Sequence, residues 1–143
     1  MFHHKWMYKT VHKIHHEWLA PIGLSAQYAH PLEQVVSNLI PLLSGPLICG
    51  SHTVTTWVFL SIGLISTTVA HSGYHLPFLP SPEYHDFHHR EFASNFGMDG
   101  FLDWFHGTDL AWRKSEQRKR HFVLLSLTPV REVVAALGEE KAT

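Results

Sequence analysis

A single cysteine, Cys49, in 143 residues excludes both a disulfide framework and a metal site built on thiolates. Net charge is equally scarce. Eleven Lys and Arg face twelve Asp and Glu, for a formal charge of −1, so a basic nucleic-acid surface is not indicated. No apolar h-region follows Met1, which is trailed at once by histidines and lysines, so a secretory signal is not expected. Asp, Glu, Lys and Arg are absent altogether from residues 34–82. At about 20 mostly apolar residues per helical crossing, that stretch can cross a bilayer twice. The mean hydropathy of −0.06 hides it because both ends are polar. The length suits one domain.

What the chain has instead is histidine, fourteen in all. His3-His4 opens the chain, His12-x-x-His15-His16 follows, then His71-x-x-x-His75, and finally His85-x-x-His88-His89. On a helix, positions i, i+3 and i+4 share one face, so each cluster projects its rings into one sector. If the first helix is continuous, His4 lies on the side of His15 and His3 faces away, which favours His4 as a donor, with His3 the alternative. Neutral imidazole is the commonest protein ligand for transition metals, and a nearly all-imidazole set suits iron, zinc or copper rather than magnesium or calcium. These donors exceed the needs of one ion, so two metals are expected. Soluble di-iron bundles use Glu and Glu-x-x-His pairs, which are missing here. An all-histidine dinuclear site beside a membrane suggests iron used for oxygen activation on a lipid.

The pattern predicts an all-α fold: a membrane helical hairpin over about residues 31–76, with a histidine-rich helical cap. Residues 1–18 read as one helix with no breaker before Pro21, and residues 21–30 as a loop or bend. Pro31 suits the first turn of a helix, which Pro41 and Gly45-Pro46 should kink or make re-entrant. Residues 53–76 read as a cleaner helix, carrying His71 and His75 to the interface. Ser81-Pro82-Glu83 is an N-terminal helix signal, opening a short helix to about Phe92. A turn at residues 95–100 follows, and Thr128-Pro129 opens a C-terminal amphipathic helix that ends near Gly138. A hairpin brings His12, His15 and His16 to the same face as residues 71–89. Every Lys and Arg lies before Ile14 or after His89, so the positive-inside rule puts that face in the cytosol.

The series H-H, H-K-I-H-H, YAHPLE, HSGYHLPFLPSPEYHDFHH and NFG…GTD resembles the fatty acid hydroxylase / sterol desaturase superfamily, in its C4-methylsterol oxidase-like branch. The resemblance covers residues 1–129 as a hydroxylase-type domain, with residues 130–143 left as a C-terminal helix and tail. It implies a multi-pass endoplasmic-reticulum protein whose cytosolic di-iron centre uses O2 to hydroxylate or desaturate a lipid. It further implies electrons from NAD(P)H through cytochrome b5 or its reductase, two iron ions as cofactor, and no nucleic-acid partner. Carried over position by position, the ligands would be His3, His4, His12, His15, His16, His71, His75, His85, His88 and His89, with Glu83 and Asp86 as candidates to orient imidazoles. The family's first motif begins with a histidine upstream of His3-His4, whereas Met1-Phe2 stand inside that motif here, so a shortened isoform or fragment is expected.

Four histidines read otherwise. His30 before Pro31 suits a cap or packing role, His52 lies between the spans, His106 is a candidate for lining the substrate mouth, and His121 follows a basic run suited to solvent or anionic lipid. Trp57 and Tyr74 suit interfacial anchoring, while Trp104, Phe105 and Trp112 either dip into the interface or pack over the metal helices. The leading function is a membrane lipid monooxygenase. A catalytically inactive metal-binding or regulatory member of the same fold is the alternative, and a metal transporter is weaker because the ligands flank the spans. Sterol, fatty acid and sphingolipid all fit an apolar pocket.

Overall fold

The computed structural model describes residues 3–18 and 22–140, and among them there are helices and no strands. The all-α expectation holds. The first arm is not one helix. α1 (Lys5–Thr10) stops at Val11, whose φ of −125° and ψ of −62° break the α geometry, and a 3-10 helix (His12–Glu17) continues the chain. Pro21, where the sequence places a break, lies outside the described residues. A second 3-10 turn (Gly23–Gln27) packs against the later apolar helix.

His30 then caps α2 (Pro31–Glu33), its Nδ1 accepting the Leu32 backbone N–H. A π-helical stretch (Gln34–Leu39) joins α2 to α3 (Ile40–Ile48). Pro41 and Pro46 lie within this continuous helical arm, so the expected re-entrant break does not form. A proline offers no N–H and crowds the carbonyl four residues back, and the wider π turn just before Pro41 accommodates both effects.

His52 caps α4 (Thr53–Ala70), again through Nδ1 and the Val54 N–H. α4 is antiparallel to α3, and the two approach closely where a Cβ on Gly63 would meet Leu42 Cδ1 at 3.2 Å. Its 18 residues span about 27 Å at 1.5 Å each, near the thickness of a bilayer's hydrocarbon core. Among the described residues α4 is the one helix long and apolar enough to cross a membrane. Its outer face is exposed, with Trp57, Val58, Phe59, Ile62 and Ile65 uncovered.

α4 ends at Ala70, not near residue 76. Ser72 bonds back to the Val69 carbonyl and Gly73 adopts a φ of 80°, which turns the chain away. The C-terminal segment locks that turn: Leu124 N–H donates to His75 O, and Val130 N–H to Gly73 O.

α5 (Pro82–Glu91) starts as its sequence predicts, with Ser81 Oγ accepting the Tyr84 N–H. At about 100° per residue it presents three faces. Tyr84 and Phe87 pack on Trp112 in the small apolar core. Glu83 and Asp86 meet arginines on a second face. His85, His88 and His89 occupy the third. Short helices α6 (Phe101–His106) and α7 (Leu110–Lys114) and a 3-10 turn (Glu116–Arg120) wrap this helix. α8 (Val130–Glu140) closes the chain, running past Gly138.

Candidate metal centre

Two quartets of imidazoles meet between the 3-10 helix His12–Glu17, the end of α4, and α5. The first quartet is His3, His12, His16 and His88, and the second is His15, His71, His85 and His89, each with ligand nitrogens within 4.8 Å of one another. The sequence motifs are interlaced across them. His12 and His16 serve the first quartet while His15, between them, serves the second. His85 and His89 serve the second while His88 serves the first. His3 and His71 complete the sets. The quartets touch, with the rings of His16 and His89 centred 4.4 Å apart and those of His15 and His16 5.6 Å apart.

Within the quartets the Nε2 atoms converge. His3 to His12 is 3.1 Å, His12 to His16 2.9 Å, and His3 to His88 3.1 Å. His71 to His85 is 3.0 Å and His85 to His89 3.1 Å. Two nitrogens bound to one ion at about 2.1 Å and meeting near a right angle stand about 3.0 Å apart, so the donor set fits a metal ion in each quartet.

The opposite ring nitrogens fix the tautomers. Nδ1–H of His12 donates to Glu33 Oε1 at 2.5 Å, and that of His88 to Ser94 O at 2.7 Å. Nδ1–H of His71 donates to Thr67 O at 2.8 Å, that of His15 to Tyr28 O at 3.1 Å, and that of His16 to His89 O at 3.3 Å. Each bond puts the proton on Nδ1 and leaves the Nε2 lone pair aimed inward, as a metal-ligating histidine requires.

Electrostatics act in the same direction. Burial, reinforced by His88 and His12, holds the His3 imidazolium down to a pKa of about 3. Burial lowers His71 to about 4. It also drives His15, His16, His85, His88 and His89 below the ordinary histidine value. These rings are neutral near pH 7, when their lone pairs are free to bind an ion.

Two of the nominated residues fall outside. His4 is exposed and begins α1, pointing away because the first arm is broken at Val11 and the continuous-helix phase does not apply. His3 takes the inward place instead. His75 is buried but faces His121, ring centroids 4.9 Å apart, since α4 stops at Ala70 and the i, i+4 pairing with His71 is lost. His121 meets Ser81 Oγ at 2.8 Å, and His106 sits on exposed α6 against Phe105.

Glu83 and Asp86 orient arginines rather than imidazoles. Arg120 and Arg131 each take one oxygen of Glu83, at 2.9 and 3.0 Å, and Arg131 also pairs with Asp86. Arg120, in the basic run read as a solvated surface, is thus partly buried against α5. Trp112 is buried, whereas Trp104 and Phe105 are exposed. Sequence reasoning missed Glu33, whose place in the first turn of a helix looks like ordinary capping. It also missed Asp103. That carboxylate accepts the Phe96 and Gly97 N–H groups and the Thr108 and Tyr84 hydroxyls, and so shapes the loop whose Ser94 carbonyl holds His88.

The fatty acid hydroxylase family model matches residues 1–108. The human "Fatty acid hydroxylase domain-containing protein 2" is 49% identical over 94% of this chain and 40% of its own length. "Very-long-chain aldehyde decarbonylase GL1-8" of Oryza sativa subsp. indica is 38% identical over 80% of this chain and 47% of its own. "Methylsterol monooxygenase 2-2" of Arabidopsis thaliana is 35% identical, over 85% and 50% respectively. The chain thus spans about half or less of the length of these relatives. No solved structure matches. With the family model covering most of the sequence and every quartet residue, the chain belongs to the fatty acid hydroxylase family.

Proposed function

We propose that this protein is a membrane-bound, non-haem di-iron oxidoreductase that uses O2 to hydroxylate a sterol or fatty-acyl lipid. One observation carries the reading: eight imidazoles from separate segments converge as two touching quartets with inward lone pairs. Iron in these sites would supply reductive activation of O2 and attack on a lipid C–H bond.

The chain's own part is positional. Peptide carbonyls and Glu33 hold five rings in one tautomer, so little reorganisation is needed when the donors are engaged. A cavity of about 20 Å³ lined by His71, His85, His89, Trp18 and Arg131 has room for one water-sized molecule beside the second quartet. A larger, open cavity of about 720 Å³ runs from Ser66 of α4 past Phe78, Met98 and Trp112 to His75 and His121. Its volume is in the range of lipid-sized ligands, and Ser66 belongs to the apolar helix, which supports entry from the bilayer. The relatives' names, a methylsterol monooxygenase and a very-long-chain aldehyde decarbonylase, support a long apolar substrate. The exposed apolar face of α4 and the flanking basic residues support an endoplasmic-reticulum hairpin with its metal centre in the cytosol. Cytochrome b5 or its reductase, relaying electrons from NAD(P)H, is the partner that suits this reading.

Purified in detergent, the protein should carry two irons and oxidise a 4-methyl sterol or a fatty acyl lipid when supplied with O2 and reduced cytochrome b5. His88→Ala should abolish turnover. Bound metal with no turnover across sterol, acyl and sphingolipid substrates would instead establish the silent metal-binding member, and absence of metal would end the oxidoreductase reading and leave a regulatory member of the same fold.

A further inference from the structure

The two quartets differ in one respect that their symmetry conceals. Glu33 is 5% exposed, and its Oε1 accepts from Nδ1 of His12 in the first quartet. Its Oε2 is buried and has no hydrogen-bond partner among the described residues. A carboxylate withdrawn from water with one oxygen unmatched is costly unless a positive charge lies near. No arginine or lysine ion pair reaches it among the described residues. A cation beyond the His12 ring would supply the missing charge.

Among the described residues, no carboxylate is hydrogen-bonded to a ring of the second quartet. His15 and His71 donate to peptide carbonyls, and Nδ1 of His89 is buried without a partner among the described residues. The acids that approach this quartet across the small cavity, Glu83 and Asp86, are already paired with Arg120 and Arg131. Among the described residues, His12 is therefore the quartet ring that hydrogen-bonds a carboxylate, while Glu33 acts on His15 only through space.

We infer that Glu33 makes the sites unequal: it is a positioning residue that renders His12 the most electron-rich donor, so the first quartet binds its ion more tightly and fills first. The inference rests on the metal-centre reading. A carboxylate hydrogen-bonded to a ligating imidazole raises its basicity, and loss of such a partner costs about 10- to 100-fold in metal affinity. Glu33→Gln keeps the shape and a carbonyl for the His12 N–H while removing the charge.

The metal-free chain, in detergent micelles, should be titrated with Co2+ alone and followed by its visible absorption. Two steps are expected, the tighter one at the first quartet. His71→Ala should erase the weaker step and leave the tighter one, which assigns them without any change at Glu33. Glu33→Gln should weaken the tighter step by about 10- to 100-fold, leave the weaker one in place, and hold the melting temperature of the metal-free chain. Two equal steps in the native chain would overturn the inference, as would loss of the tighter step in His71→Ala or equal weakening of both steps in Glu33→Gln. A binding curve unchanged by Glu33→Gln would overturn it too, and so would a drop in metal-free stability that accounts for the lost affinity. Failure to bind Co2+ at all would instead remove the metal-centre reading beneath it.

Discussion

Nδ1 of His16 donates to the backbone carbonyl of His89, so a donor of one quartet is aimed by the peptide of a donor of the other. The link runs through main chain, not through the His89 ring. His89→Ala should therefore leave His16 in place and reduce bound metal from two ions to about one. His16→Ala should likewise remove one ion. Metal analysis of the purified variants checks this; loss of both ions in either variant would show that the quartets cannot be filled separately.

Acid should loosen the metal-free protein over a defined interval. The His3 and His71 imidazoliums are held to about 3 and 4 against 6.5 in the unfolded chain. Below 6.5 the unfolded state takes up protons that the folded state refuses, so stability is retained above that value and declines as pH falls toward 4. Melting temperatures of the metal-free chain across pH 4–7 should decline toward acid. Bound metal should lift the curve most at its neutral end and steepen the fall toward acid, because the ion and the proton compete for the same nitrogens.

Asp103 holds the loop behind His88. Burial alone would raise its pKa, but hydrogen bonds from Thr108, Gly97, Phe96 and Tyr84 outweigh that and leave it below the usual aspartate value. Asp103→Ala strands two backbone N–H groups and the Tyr84 hydroxyl in a site where the residue is 3% exposed. A destabilisation of about 3 kcal/mol is expected, read by chemical denaturation. Metal affinity should fall more at the first quartet than at the second, since Ser94 orients only His88. A loss confined to the second quartet would contradict the arrangement.

Arg131 braces α5 from the C-terminal helix. Arg131→Ala removes one partner of the buried Glu83 carboxylate and one of Asp86. The arginine is 35% exposed, so water screens part of the loss, and a cost of roughly 1–3 kcal/mol is expected. Arg131→Lys should recover little, because a single ammonium cannot serve both acids with the fork of a guanidinium.

The histidine spacings made most of this centre legible. H-x-x-H-H within one helical turn brings rings together whether the turn is α, as at His85, or 3-10, as at His12, so the rings converge although the first arm is not the α-helix expected. The same tolerance did not extend to His4 or His75. Their assignment needed the helix to continue, and single backbone events at Val11 and Gly73 ended it. Glu33 and Asp103 were invisible because a lone acid carries no spacing signal; what distinguishes them is a partner 21 residues away in one case and a loop folded around the side chain in the other. Glu83 and Asp86 were noticed for their nearness in sequence to ligands, yet helical phase gives them a separate face of α5, where Arg120 and Arg131 engage them.

Because each H-x-x-H-H motif divides its rings between both cages, neither cage is the property of one segment. Unwinding either the turn at His12 or the helix at His85 takes donors from both ions at once, so retention of the metals should be all or none with respect to these two segments. A chain that gradually lost its way to this fold would forfeit the pair together, whereas side-chain changes alone can subtract one.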